Sequence, residues 1–149
     1  IAQDVLTAAE SWLPTIKQRD QKASVFSNPE GHISSPLSPE QYRRFVGKYG
    51  YLAQRFLAEM PAQELKLIPE TQTMWAEVRW ALRYEQVVHL DDLMLRRTRL
   101  GLLLVKGGAA HFDTIKQIAL SEGWTEERWV SEQARYSQIW QAYYSLPKL

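Results

Sequence analysis

Residues 75–104 read WAEVRWALRYEQVVHLDDLMLRRTRLGLLL, and this stretch decides the fold class. Trp75, Val78 and Leu82 fall on one face of a helix, and Ala76, Trp80 and Tyr84 fall on the neighbouring face. A helix that is apolar over so wide an arc belongs at the centre of a helical domain. Thr73 is the expected cap, and the helix should run to about Gln86. A second helix is expected to start at His89-Leu90-Asp91-Asp92. Asp91 is suited to cap it and Leu90 to staple onto Leu95. Asp92 falls in the first turn, where a negative charge is worth roughly 0.3–1 kcal/mol. This helix should end near Leu100 or Gly101.

Downstream, Gly107-Gly108 reads as a loop. Phe112, Ile115, Ile118 and Ala119 mark another helix, with Gly123 as its stop. Thr125 is expected to cap a last helix from Glu126 to about Tyr144, whose stripe is Trp129, Gln133, Tyr136, Trp140 and Tyr143. Upstream, Ser38-Pro39-Glu40-Gln41 is a strong helix start: Ser38 caps, Pro39 suits the first helical position and Gln41 can close a capping box. Tyr42, Phe45, Val46 and Tyr49 form its stripe. Gly50 should interrupt the helix, and Leu52, Phe56 and Leu57 should point inward until Pro61. Residues 62–71 read as a less regular connection. Val5, Ala8, Ala9 and Trp12 mark a helix over residues 1–13, which Pro14 ends. Residues 15–39 are rich in Ser, Pro, Asn and Gly and read as an extended connector. No strand alternation occurs, so the fold class is all-α: a compact bundle of about five to seven helices with a long N-terminal connector. Residues 1–37 form the helix and connector, and residues 38–149 the helical domain.

The chain has 149 residues and no cysteine, which excludes a disulfide scaffold, a thiolate zinc site and a cysteine nucleophile. Its 18 Lys and Arg nearly cancel 17 Asp and Glu, so a strongly cationic nucleic-acid or membrane module is not expected. The glycines are too scattered for a phosphate-cradling loop. The excess is aromatic, with six Trp, seven Tyr and four Phe available to fill a core. The chain opens on Ile1, as a fragment or processed chain would, and no signal-peptide pattern follows. A soluble protein of a reducing, cytoplasmic compartment is expected.

Each candidate for chemistry has a plainer structural reading. Glu85, His89 and Asp92 suggest a metal site, but the helix is expected to end between Glu85 and His89, and Asp92 already has a first-turn role; a polar helix junction explains them better. Arg79, Arg83, Arg96, Arg97 and Arg99 suggest an anion or nucleic-acid face, but Glu77, Glu85, Asp91 and Asp92 are interleaved with them. The aromatic stripe of the last helix reads as core. His32 and His111 have no evident orienting partner. No catalytic, cofactor-binding or metal-ligating residue emerges.

The motif residues are Ala76-Glu77, Trp80-Ala81, Glu85, Asp91-Asp92 and Arg96-Arg97-Thr98. Together with Gly123-Trp124, Glu127-Arg128-Trp129 and Arg135-Tyr136, they resemble the C-terminal helical domain of FAD-dependent glycerol-3-phosphate dehydrogenases and the related α-glycerophosphate oxidases. The helix of residues 4–13 resembles the one that leaves the flavin domain there. The resemblance implies a parent enzyme that uses FAD to oxidise sn-glycerol 3-phosphate to dihydroxyacetone phosphate. A quinone would take the electrons, with possible peripheral attachment to the inner face of the membrane. The flavin- and substrate-binding motifs of such enzymes lie upstream and are absent here. The implied role is therefore a non-catalytic accessory domain whose partner is the parent's flavin domain. The alternative is a free-standing helical interaction module.

The motif charges carry one structural expectation. Arg96 has Asp92 four residues earlier on a shared face. Glu77, Glu85 and Arg97 lack partners at helical spacing, and buried charges are seldom left unpaired. Glu77 or Glu85 should therefore pair across the helix junction with Arg96 or Arg97.

Overall fold

The computed structural model describes residues 2–12 and 37–145. At the N-terminus α1 (Ala2–Ala8) is followed by a 3-10 turn, Glu10–Trp12. Val5 and Trp12, two of the apolar positions that mark this helix in sequence, face solvent, Trp12 being 88% exposed. Most of the connector expected over residues 15–39 lies outside the described residues, as does Pro14.

The start of α2 (Pro39–Tyr49) follows from its sequence. Ser38 Oγ accepts the Gln41 N–H at 3.3 Å and Gln41 Oε1 accepts the Ser38 N–H at 2.9 Å, the reciprocal capping box. The helix breaks at Gly50, whose φ of +54° suits glycine. After a 3-10 turn, α3 (Ala53–Glu59) continues to Met60, and Pro61 stops it. Phe45, Tyr49 and Phe56 meet edge-on or tilted, with centroids 4.8–5.0 Å apart, and Trp80 closes on Phe56 at 4.8 Å. Fully burying such a side chain is worth about 1.5–3 kcal/mol.

The central helix is α4 (Trp75–Tyr84), and its two apolar faces enter two different cores. Val78 and Ala81, with Trp75 and Leu82 beside them, join the larger core of Leu90, Leu93, Met94, Leu100, Ile115, Trp129 and Tyr136. Ala76 and Trp80 join the aromatic core of Phe45, Tyr49 and Phe56. Its cap differs from expectation. Thr73 is buried, and its carbonyl accepts the Ile68 N–H at 2.8 Å in a tight turn beside the Leu67–Met74 bridge. Met74 occupies the cap position, and the Glu77 carboxylate accepts its N–H at 2.9 Å. Apart from that single bridge, the described residues form no strand pairing.

The next segment also departs from expectation. It is a π-helical turn, Asp92–Arg97, in which the Thr98 N–H reaches back to the Leu93 carbonyl at 3.0 Å and the Thr98 hydroxyl donates to the same oxygen at 2.7 Å. Asp91 stands at the cap position, buried, but its side chain makes no capping bond; Asp92, in the first turn as expected, reaches back through Oδ2 to accept the His89 N–H at 2.9 Å. Arg99 then turns left-handed at φ +60°, so a separate short helix, α5 (Leu100–Leu103), follows where one continuous helix was expected to end. The Gly107-Gly108 loop is a kink in a 3-10 segment, with left-handed backbone at Lys106, Gly107 and Gly108.

The last helices, α6 (Phe112–Ser121) and α7 (Glu126–Tyr143), follow the sequence reading closely. Gly123 turns at φ +93° and Thr125 Oγ1 accepts the Arg128 N–H at 3.1 Å. Trp129 and Tyr136 are buried, but Tyr143 is 80% exposed: the stripe runs past the end of the core it covers. Two side chains of α7 clamp the glycine kink. The Tyr136 hydroxyl donates to the Gly107 carbonyl and Trp140 Nε1–H to the Gly101 carbonyl, both at 2.8 Å. A Cβ on Gly101 would collide with the Tyr136 hydroxyl oxygen and stand 2.9 Å from Leu95 Cδ2. Gly101→Ala is therefore expected to cost about 1–3 kcal/mol through overpacking. Tyr136→Phe should cost about 1 kcal/mol through its lost hydrogen bond. Because the hydroxyl is the obstacle, the double variant should be less destabilised than the sum. Urea titration of the four proteins checks this coupling.

Candidate functional site

The motif charges do not converge on one reactive centre; they are divided among separate ion-pair networks. The most buried is built on Glu77, whose side chain has 0% exposure. Its first-turn position aims the carboxylate at the start of α4, where α2 crosses. Arg44 Nη1 donates to Oε1 at 2.9 Å, Lys48 Nζ to Oε2 at 2.6 Å and the Tyr49 hydroxyl to Oε2 at 3.1 Å, in addition to the Met74 N–H. Burial pushes the Glu77 carboxyl up, but the Lys48 charge and the hydrogen bonds from Arg44, Lys48 and Met74 outweigh it and hold it below the ordinary carboxylate value.

A second network ties the π turn to α7. Arg96 Nη1 donates to Asp91 Oδ2 at 2.6 Å and to Asp92 Oδ1 at 2.9 Å, and Arg135 pairs with the other Asp91 oxygen. Beside them Glu132 pairs with His89 Nδ1 at 2.8 Å and accepts the Leu90 N–H at 2.9 Å. Burial raises the Asp91 carboxyl, and its two arginines more than reverse that. A third network joins α4 to α6: Arg79 bonds Glu64 and Glu122, and Arg83 bonds Glu122. The Glu122 carboxyl is likewise raised by burial and then lowered further by Arg83 and Arg79.

The expected pairing of Glu77 or Glu85 with Arg96 or Arg97 does not form. Glu77 is saturated by Arg44 and Lys48 from α2, and Arg96 is held by Asp91 and Asp92 in its own turn. Glu85 is half-buried, and among the described residues it makes no ion pair within 4 Å. Burial raises its carboxyl above the ordinary value, which the charges of Lys48 and Arg97 only partly reverse. The expectation of Arg96 with Asp92 holds. The missed partners Arg44 and Lys48 stand at i, i+4 beside the buried Phe45 and Tyr49, so one face of α2 carries two cations at the edge of the core. That spacing marks a cationic edge, but not the helix it meets.

Beside Glu77 opens a cleft of about 690 Å³ between α2, the 70–73 turn and the Arg97–Arg99 corner. Its lining includes Arg44, Lys48, Glu70, Arg97, Thr98 and Arg99. The hydroxyl of Thr98 is already spent on the Leu93 carbonyl. Among the described residues no group of three or more His, Asp or Glu side chains is arranged to hold a metal ion. A flavin does not fit these residues either. A dinucleotide pyrophosphate needs a glycine-rich turn between strand and helix. Here the space beside Gly101 and Gly107 is filled by Tyr136, Leu95 and Trp140.

Replacing Glu77 by Ala strands a buried N–H, a buried hydroxyl and two cations, so it should cost roughly 3–5 kcal/mol. Replacing Arg44 or Lys48 singly by Met should cost about 1 kcal/mol, because each is partly solvated. Folded-state pKa values of Glu77, Asp91 and Glu122 are depressed. Their stabilisation is complete above the unfolded carboxylate value of about 4 and is lost as pH falls through the lower folded values. Glu85 runs the other way: its raised folded pKa lowers stability as pH rises through it. Glu85→Gln should thus raise the melting temperature at pH 7 and lose that advantage near pH 4, while Glu77→Gln should be harmful at pH 7 and progressively less so in acid. Thermal melts of both variants across this pH range check the signs.

The family model for the C-terminal domain of alpha-glycerophosphate oxidase matches residues 5–129. No curated protein and no solved structure matches the chain. The chain belongs to the alpha-glycerophosphate oxidase C-terminal domain family.

Proposed function

We propose that this chain acts as the non-catalytic C-terminal domain of an FAD-dependent flavoenzyme that oxidises sn-glycerol 3-phosphate to dihydroxyacetone phosphate and passes electrons to a quinone. The observation that carries the reading is the family match over residues 5–129. The site chemistry supports it: the motif carboxylates other than Glu85 are held in structural ion pairs, and Gly101, Gly107 and Gly108 are packed against side chains. On this reading residues 1–37 lead from the flavin domain and residues 38–149 form the accessory domain. Glu77, Asp91, Asp92, Arg96 and Thr98 are then architectural: they fix helix starts, the π turn and the junctions between helices, while Glu85 and Arg97 make no ion pair among the described residues. The partner is the parent's flavin domain rather than a nucleic acid. The parent works in the cytoplasm, with peripheral attachment to the membrane. No helix of the described residues is long and apolar enough to cross a bilayer.

Two measurements test the reading. The isolated chain should purify without flavin and show no glycerol 3-phosphate-dependent dye reduction, whereas the parent chain, read upstream of Ile1, should carry both. Stoichiometric flavin on the isolated chain, or an upstream reading frame without a flavin domain, would sink the proposal. The latter result would favour a free-standing interaction module.

A further inference from the structure

Several residues on one face contribute nothing visible to the fold. Arg97 and Arg99 are exposed and, among the described residues, form no ion pair. Arg99 also stands at φ +60°, a backbone region that favours Gly, Asn or Asp over a long side chain. An arginine at this position is therefore not there for its own turn. Across the same cleft Glu70 is left-handed as well, at φ +64°. Strained backbone of this kind gathers where a surface is shaped for use.

The chemistry of the face is that of an interface. Arg44, Lys48, Arg97 and Arg99 bring four positive charges to the cleft, against the carboxylates of Glu70 and the buried Glu77. Counting Glu85, whose carboxyl feels the charges of Lys48 and Arg97, leaves four cations against three carboxylates. Arg44 and Lys48 are held by Glu77, so the cations left without an ion pair among the described residues are Arg97 and Arg99. Next to the arginines runs an exposed aliphatic edge: Leu103, which lines the cleft, is 60% exposed, and Leu102 and Val105 are 46% and 75% exposed. Guanidinium forks beside apolar side chains are the composition of protein interfaces, and a fork pairs with a carboxylate through two parallel hydrogen bonds. An open, wide cleft with this lining suits a protein surface better than a single small ion, which needs a closed and convergent set of donors.

We infer that the cleft face of Arg97, Arg99 and Leu103 is the surface on which the parent's flavin domain docks, through an acidic element that meets the two arginines and an apolar contact that covers Leu102, Leu103 and Val105. The inference rests on the reading that this chain is the C-terminal domain of a flavoenzyme. It commits to that domain because that reading places the two in the same polypeptide, where this domain always has it within reach. The two outward guanidinium groups call for carboxylates opposite, and the aliphatic edge calls for a packed surface.

Hydroxyl-radical footprinting of the isolated chain and of the intact parent tests it. In the parent, labelling of Leu102, Leu103 and Val105 should fall by about threefold or more, while the exposed Val130 of α7 keeps its rate and serves as an internal control. The pair Arg97→Glu with Arg99→Glu should leave the isolated chain folded, its melting temperature lowered only by the loss of the Arg97 charge that acts on Glu85. In the parent it should restore labelling of the three aliphatic residues. Equal labelling of these residues in both proteins, or protection that survives the double charge reversal, would overturn the inference while leaving the flavoenzyme reading intact. Saturable binding of inorganic pyrophosphate to the parent through these arginines, without protection of Leu103, would also overturn it. A parent without a flavin domain overturns the underlying reading instead.

Discussion

The buried carboxylate of Glu77 is the constraint from which the rest of this structure is arranged. A carboxylate with no solvent access survives as a charge only where donors surround it, and four converge here from α2, the preceding turn and the helix's own start. That requirement fixes where α2 crosses α4. The crossing places Phe45 and Tyr49 over Trp80 and closes the aromatic core. The opposite face of α4 is then free to enter the larger core with Leu90, Leu93 and Ile115. One helix thus joins two cores, and one carboxylate sets its entry.

The other end of the molecule depends on close approach. The Leu100–Leu103 helix and the kink behind it run against α7 so tightly that Gly101 and Gly107 have no room for a Cβ. Tyr136 and Trp140 hold the two carbonyls of this passage. Arg135 and Glu132, on the same helix, hold the π turn through Asp91, His89 and Leu90. The π turn is sustained by Thr98, which doubles the bond to the Leu93 carbonyl. A helix wound this way turns its last residues outward, and this brings Arg97 and Arg99 to the lip of the cleft.

The division of labour among the charges bears on function. Most carboxylates in the motif are neutralised inside the domain, which leaves none poised with both a reactive pKa and an orienting base. Among the motif carboxylates Glu85 alone is raised and without an ion pair among the described residues, and the charges that act on it are those of Lys48 and Arg97. Arg97 and Arg99 are the charges beside this set that point outward without an ion pair among the described residues.

The sequence by itself determined the elements whose causes are local. The capping box of Ser38 and Gln41, the break at Gly50, the stops at Pro61 and Gly123, and the cap at Thr125 each depend on residues within one turn, and all stand as read. The two-faced character of α4 was legible for the same reason, since spacing alone places Trp75, Val78 and Leu82 apart from Ala76 and Trp80. Only the tertiary structure decided the partner of Glu77, because Arg44 and Lys48 lie some thirty residues away and nothing local names them. It also decided that the Asp91 side chain makes no capping bond. Asp91 is drawn instead to Arg135, more than forty residues distant, and a π turn is favoured by packing and by Thr98 rather than by propensity. The same holds for Tyr143, whose place in the stripe is set by spacing but whose exposure is set by where the core ends. Local chemistry starts and stops the helices; pairing between distant charges and the limits of the core are properties of the assembled fold.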